Sequence, residues 1–355
     1  MKYAQLGTTG VFVSRLCLGT MTFGGAENAV TTAMGRLTQK ETEVIVGSAL
    51  DAGINFIDTA DVYGGGASEE QLGQALKLRR HEVVLATKMH ARVGPGPNQV
   101  GQSRIHLMNA LENSLRRLKT DHIDLYQLHN FDPYTPLEEV LRTLDDAVSQ
   151  GKVRYIGCSN FAGWQLMKAA GIAELRGYTH FASVQSWYSL AGRDIERELI
   201  PAVADSNVGL LCWSPLAGGL LSGKFDRSGT SDPGARRAQI QFPPVDEDKA
   251  LVIIDQLKII AERHQVSVAQ IALAWVLAQP AVTSVITGVK RPDQLADNLG
   301  ALDVTLSDDD LALLDEASRP PVSYPGWIQS YNGKGRVPTG YTYDGASWQL
   351  GEPPC

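Results

Sequence analysis

Asn55-Phe56-Ile57-Asp58-Thr59-Ala60-Asp61-Val62-Tyr63-Gly64 decides how this chain folds. A short apolar run, Ile54 to Ile57, ends abruptly in an acid, and a tyrosine follows inside a glycine-rich turn. Two further strand-like runs end the same way: Val83-Val84-Leu85-Ala86-Thr87 in Lys88, and Ile123-Asp124-Leu125-Tyr126-Gln127-Leu128 in His129. Strands that each deliver one reactive side chain at their C-terminal end build the active face of a β/α barrel. The pattern therefore predicts that Asp58, Tyr63, Lys88 and His129 meet at one rim.

The rest of the chain keeps that rhythm. Strands are predicted near Leu16–Leu18, Phe56–Ile57, Val83–Thr87, Ile123–Leu128, Tyr155–Cys158, Ser183–Gln185, Gly209–Cys212 and Ser284–Ile286. Amphipathic helices alternate with them, which implies a parallel sheet clad in helices, and eight strands close a (β/α)8 TIM barrel of the α/β class. Ser68-Glu69-Glu70-Gln71 reads as a capping box. Ser103 opens a helix with Met108, Leu111, Leu115 and Leu118 on one face. Glu112 and Arg116 stand one turn apart on it and are expected to pair. Gly53 and Gly151 fall where helices should stop. Ahead of the barrel, Tyr3–Leu6 and Val11–Ser14 flank Gly7-Thr8-Thr9-Gly10, a hairpin expected to plug the barrel's N-terminal end.

The expected organisation is one domain over residues 1–355: hairpin 1–14, barrel 15–318 and C-terminal tail 319–355. Three segments fall outside the alternation: Gly24–Leu37, Gly94–Gly101 and Ala217–Pro244. Each follows a barrel strand, so each is a long loop at the C-terminal face. Loops of that length are usually functional or disordered. The tail lacks a helical period but carries Tyr324, Trp327, Tyr331, Tyr341, Tyr343 and Trp348. Disordered tails are poor in aromatics, so the tail is expected to pack, either walling a substrate pocket with Trp327 as the main contact or lying against the outer helices or a second subunit.

A net charge of −7 without a basic cluster argues against nucleic acid. Ile271 to Ala278, the longest clean apolar run, is too short to span a bilayer. Cys17, Cys158, Cys212 and Cys355 share no close spacing, which suits reduced thiols in a cytoplasmic protein. No His-x-His pair follows a strand, so a metal-dependent hydrolase is not expected.

Taken singly, Asp58 reads as a helix cap, Tyr63 as a turn aromatic, Lys88 as a solvated charge and His129 as a structural imidazole. Together they make a proton-delivery set. A phenol titrates near ~10, and an adjacent ammonium lowers that value. Lys88 supplies the charge, Asp58 holds Lys88, and His129 can bond the oxygen that Tyr63 protonates. This suits protonation of a carbonyl oxygen while hydride reaches its carbon.

The chain resembles the aldo-keto reductase superfamily over nearly its whole length. The matching residues are Gly19-Thr20-Met21, Asn55–Ala60 with Tyr63-Gly64, Thr87-Lys88, Asp124–His129, Gly157-Cys158-Ser159-Asn160, Trp213-Ser214-Pro215-Leu216 and Gly288 to Asn298. It is most similar to the bacterial branch that includes the potassium-channel β-subunits. The resemblance implies a nicotinamide cofactor, an Asp58/Tyr63/Lys88/His129 tetrad with Tyr63 as general acid, and a small carbonyl or alcohol substrate. No Gly-x-Gly-x-x-Gly follows a strand, so a Rossmann site is not expected.

By the same resemblance, Ser159, Asn160 and Gln185 hold the nicotinamide carboxamide and Trp213 stacks on the ring. Gly19, Thr20, Met21, Asp58, Ser214, Pro215, Leu216, Gly218 and Gly288 complete the cofactor wall. Lys224 and one of Arg236 or Arg237, with Arg237 preferred, close over the pyrophosphate. Pro292 starts a helix whose N-terminal end can receive a phosphate. Lys290 or Arg291 meets the 2′-phosphate, and Gln294, Asp297 and Asn298 reach the adenosine. Vertebrate-type reductases carry a lysine near Gly288 and an arginine at the position of Gln294, and this chain has neither there. NADP(H) is the expected cofactor, ahead of NAD(H). The alternative is a cofactor-binding regulatory subunit with incidental turnover.

Overall fold

The computed structural model describes residues 1–27, 29–230, 232 and 234–333. The chain forms two compact units, Met1–Ser318 and Arg319–Cys355.

The first unit is a closed, all-parallel barrel in sequence order. Its strands are β1 (Leu16–Gly19), β2 (Phe56–Asp58), β3 (Val84–Met89), β4 (Ile123–Leu128), β5 (Val153–Ser159), β6 (Phe181–Trp187), β7 (Gly209–Trp213) and β8 (Val282–Gly288). β8 pairs with β1 to close the ring. Every predicted strand is present, several of them longer than expected because the paired register continues past the apolar residues.

Side chains alternate across each strand. Ile57, Leu85, Tyr126 and Val184 point outward into the main core against the helices. Cys17, Phe56, Ala86, Leu125, Leu211 and Ile286 fill the lumen, joined by Leu6 and Val13 of the N-terminal hairpin. That hairpin pairs Tyr3–Gln5 with Phe12–Ser14, so it plugs the barrel floor as expected. Gly7, at φ +55°, has no room for a Cβ, which would lie 2.6 Å from the Ala182 carbonyl oxygen.

Three local expectations need correction. Helix Ala67–Ala75 begins after Gly66, and Ser68 lies inside its first turn. The Ser68 hydroxyl donates to the Thr20 carbonyl at 2.8 Å, tying the end of β1 to this helix instead of capping it. The capping box is Thr38 with Glu41, ahead of helix Gln39–Asp51. Glu112 bonds Lys152, whereas Arg116 turns to Asn113 at 3.1 Å. The partner that Glu112 takes lies in the turn just before β5. Finally, the tail contains a helix, Gly326–Gly333, too short for a period to register in sequence. Within the tail, the Tyr324 and Trp327 rings lie 6.3 Å apart. Tyr341, Tyr343, Trp348 and Cys355 lie outside the described residues.

The long loops are partly structured. Gly24–Leu37 contains helix Ala29–Met34. Ala217–Pro244 contains a 3-10 segment, Ala217–Ser222, a two-stranded ribbon and helix Arg236–Gln239. Cys17, Cys158 and Cys212 are buried free thiols. Among the described residues, no helix is long and apolar enough to cross a membrane and no cluster has the makings of a metal site.

Candidate active site

The period-2 alternation that fills the lumen with apolar residues continues upward with polar ones. Two residues above Phe56 comes Asp58, above Ala86 comes Lys88, above Leu125 comes Gln127, and above Ser183 comes Gln185. These side chains form a layer across the barrel near its C-terminal end. Lys88 Nζ donates to Asp58 Oδ2 at 2.6 Å, to the Thr59 carbonyl at 2.8 Å and to Tyr63 Oη at 3.3 Å. Asp58 Oδ1 accepts from Gln127 Nε2 at 3.1 Å and from Gln185 Nε2 at 2.9 Å. A buried carboxylate thus meets one ammonium and two amides, the partnering that burial of charge requires.

Tyr63 reaches this layer from the turn after β2. Gly64 and Gly65 adopt φ +59° and +70°, and Gly25 Cα lies 3.0 Å from where a Gly64 Cβ would stand. The turn accordingly needs glycine on both grounds. The Tyr63 and His129 rings meet edge to face, their centroids 5.8 Å apart.

The electrostatics correct one expectation. Burial of Tyr63 raises its pKa, and this outweighs the lowering pull of Lys88, with Asp58 adding to the rise. The phenol is therefore held protonated rather than acidified. Burial alone would depress Lys88, but Asp58 and Tyr63 more than reverse it, to about 12. Burial, and then the Lys88 charge, push His129 down to about 3, so its imidazole is neutral. It is an uncharged hydrogen-bonding group, not a second acid.

Above the layer opens a cavity of about 680 Å³. Asp58, Tyr63 and His129 line it, while Lys88 lies fully buried behind them. Of the residues expected at the cofactor, Gly19, Thr20, Met21, Ser159, Asn160, Gln185, Trp213, Ser214, Pro215, Leu216, Gly218, Lys224, Gly288, Lys290, Gln294, Asp297 and Asn298 all line the same cavity. Arg237 does not. Its side chain is buried and donates to the Pro243 carbonyl. Its neighbour Arg236 lines the cavity instead, as helix Arg236–Gln239 turns successive side chains to different sides.

Several of these groups already have partners. Asn160, at φ +58°, donates to the His129 carbonyl at 2.9 Å and accepts from Trp213 Nε1 at 3.1 Å, linking β5, β7 and the His129 loop. Phe242 lies parallel to Trp213, their centroids 5.9 Å apart. Asp297 accepts from Ser267 and Gln270 at 2.9 and 2.8 Å. Others are buried without a hydrogen-bond partner among the described residues: Ser159 Oγ, Thr287 Oγ1 and Arg236 Nε. Buried polar atoms are normally satisfied, so these, with His129 Nδ1 on the same wall, are positions that could meet a ligand's polar groups.

Four cations line the cavity: Lys224, Arg236, Lys290 and Arg291. Lys224 pairs with Asp232 at 2.7 Å and Arg291 with Asp293 at 2.9 Å. Lys290 donates to the Ala33 carbonyl at 2.9 Å. Burial lowers its pKa, and the neighbouring Arg236 and Lys224 charges lower it further, as expected where cations gather around an anion site. Helix Pro292–Gly300 starts there with proline in its first turn.

The sequence reading missed Gln127, whose signal was the same two-residue step that marked Asp58 and Lys88. It also missed Asn130, Thr22, Met34 and Phe242 in the cavity wall. These sit on loops whose path has no sequence period.

Comparison with known proteins agrees with this geometry. The family model described as "Aldo/keto reductase family" matches residues 15–319. The chain is 40% identical over 327 residues to the uncharacterized oxidoreductase YrpG of Bacillus subtilis (strain 168), covering 89% of this chain and 95% of that protein. It is 35% identical over 350 residues to a versiconal hemiacetal acetate reductase of Aspergillus parasiticus, covering 92% and 99%. It is 36% identical over 313 residues to a probable voltage-gated potassium channel subunit beta of Oryza sativa subsp. japonica, covering 86% and 92%.

Proposed function

This chain belongs to the aldo/keto reductase family, and from that premise we propose that it is an NADP(H)-dependent enzyme interconverting small aldehydes or ketones and alcohols, with Tyr63 as the general acid and base. The observation that carries the reading is the Tyr63 hydroxyl at 3.3 Å from the Lys88 ammonium, itself 2.6 Å from Asp58, at the floor of a cavity that His129 shares.

The donor set fits a nicotinamide dinucleotide. Unpartnered Ser159 Oγ suits one end of a carboxamide, and Gln185 and Asn160 stand beside it. Unpartnered Arg236 Nε, with Lys224 opposite, suits the pyrophosphate. Lys290 and Arg291 beside the start of helix Pro292–Gly300 suit a 2′-phosphate, which favours NADP(H) over NAD(H). When bound, the nicotinamide supplies or accepts the hydride. Tyr63 gives its proton to the carbonyl oxygen. Neutral His129 donates or accepts a hydrogen bond at that oxygen, which orients the carbonyl. Lys88 steadies the Tyr63 oxygen once its proton has left, and Asp58 with the two glutamines keeps Lys88 in place.

Steady-state oxidation of NADPH with a panel of aldehydes and ketones tests the reading, alongside NADP+ reduction with the matching alcohols. Turnover that Tyr63→Phe removes is the expected result. Tight NADPH binding without turnover in either direction would overturn it and leave the chain as a cofactor-binding subunit.

A further inference from the structure

Asp61 is a buried ionisable side chain on the turn that carries Tyr63, and this mechanism does not use it. It lies between Asp58 and Tyr63 in sequence and is 3% exposed. Neither carboxyl oxygen meets a partner at hydrogen-bonding geometry; the Val62 N–H polarises the group without closing a bond. Its backbone is well held, with its N–H donating to the Lys88 carbonyl at 3.0 Å.

A second buried carboxyl lies beside it. Glu69, on helix Ala67–Ala75, is fully buried and accepts from the Thr87 hydroxyl at 2.5 Å. It also accepts from Arg117 Nε at 2.7 Å, on helix Arg104–Leu118. The groups facing Asp61 are Glu69, Arg117, Lys88 on β3 and the buried Tyr126 phenol on β4. Arg117 is committed to Glu69, and Lys88 to Asp58. Among the described residues, that leaves no cation paired with Asp61. Two carboxyls that crowd one counter-charge cannot both ionise cheaply. Burial and the Glu69 charge push Asp61 up to about 7, against the pull of Arg117, the Val62 N–H and Lys88.

We propose that Asp61 is a positioning residue: it packs as the neutral acid beside the Glu69–Arg117 pair, and its ionisation unseats the turn that carries Tyr63. The coupling is covalent and short. Residues 59–63 form one segment, pinned to β3 by the Thr59, Asp61 and Lys88 bonds. An ionised Asp61 must find water, and the turn that releases it holds Tyr63 two residues on. A raised carboxyl is neutral below its midpoint and ionised above it. The seat is therefore intact on the acid side of neutrality and lost on the alkaline side. The proposal rests on Tyr63 being the proton donor only for its effect on turnover.

The test uses the full chain without cofactor, in which aspartate carboxyl carbons and tyrosine Cζ carbons are labelled with 13C. Asp61→Asn and Tyr63→Phe assign the two resonances. The expected result is an Asp61 signal titrating near neutrality, a Tyr63 signal that moves with the same midpoint, and loss of that movement in Asp61→Asn. Should Asp61→Asn fail to fold, Glu69→Gln serves instead: it removes the like charge and should shift both midpoints together toward the ordinary carboxylate range. An Asp61 midpoint in that ordinary range in the unaltered chain, or a Tyr63 signal indifferent to it, overturns the proposal. In turnover, kcat/KM for reduction should fall by up to about tenfold per pH unit above the Asp61 midpoint, and Asp61→Asn should abolish that limb. Carbonyl reduction that fails altogether while the two resonances remain coupled would count against the function and for the positioning role.

Discussion

Lys88→Met is the sharpest test of how the site is held together. Lys88 and Asp58 have side chains 0% and 3% exposed, with their charges 2.6 Å apart. Methionine keeps part of the apolar stem and removes every donor. Asp58 would retain Gln127 and Gln185, while the Thr59 carbonyl and Tyr63 hydroxyl lose the ammonium. Removing one partner of a buried pair costs ~3–5 kcal/mol, and the two surviving amides place this variant near the lower end. Asp58→Asn leaves the ammonium facing only neutral oxygens and should cost about as much, ~3 kcal/mol. The double variant strands no charge. Its loss should therefore fall short of the sum by about 2 kcal/mol, well outside the ~0.5 kcal/mol scatter of independent sites. Urea unfolding at pH 7.5 measures all four corners, with circular dichroism and tryptophan fluorescence required to report coincident transitions. A double variant that merely adds the two losses would refute the reasoning, since the pair would then carry no coupling.

Tyr63→Phe should lower kcat by ~10²–10⁴-fold, the range of general acid catalysis, and leave the NADPH dissociation constant measured by fluorescence nearly unchanged. Replacing Lys290 and Arg291 with alanine should weaken NADPH much more than NADH; equal weakening in a direct titration would place the 2′-phosphate elsewhere. His129 is held neutral down to about 3, whereas an unfolded histidine takes its proton near ~6.5. Between those values the unfolded chain binds more protons, so acid should erode stability by up to ~1.4 kcal/mol per pH unit through this residue. Urea midpoints from pH 7.5 to 4 should fall less steeply in His129→Asn than in the unaltered chain.

The barrel was legible because its strands are short apolar runs with a strict step of two, and one step decides both burial and reactivity. Phe56 and Asp58 obey the same rule: both point into the lumen, one at the floor and one at the rim. That is why Asp58 and Lys88 could be placed at the rim from sequence. Side chains whose direction depends on a loop could not be. Arg236 and Arg237 are adjacent and chemically identical, and only the turn of helix Arg236–Gln239 decides that Arg236 lines the cavity. Ser68 failed for another reason: the helix begins one residue before it, at Ala67, so it does not stand at the cap. Its spacing to Gln71 satisfies a capping rule, yet its hydroxyl lies inside the first turn and donates to the Thr20 carbonyl. The Tyr63 pKa failed because neighbouring charge is visible in sequence and burial is not.

That last correction bears on how the site can work. A phenol raised above its ordinary value is a poorer acid at rest than tyrosine in water. In the proposed mechanism proton delivery still succeeds, because the acceptor changes as the reaction proceeds. As hydride reaches the carbonyl carbon, the oxygen gains the basicity of an alkoxide, far above that of a phenolate, and the transfer runs downhill. Lys88, held charged by Asp58, then stabilises the phenolate left behind. On that reading, burial keeps the proton on Tyr63 until it is needed. The reverse direction needs the phenolate at the start, and burial opposes it. Alcohol oxidation should therefore demand a higher pH than carbonyl reduction in the same protein. Paired pH profiles of Asp61→Asn, free of the added titration on the turn, measure this directly. Reduction should hold level through neutrality, and oxidation should still be rising where reduction begins to fail. Coincident profiles would mean that the proton on Tyr63 does not limit either direction.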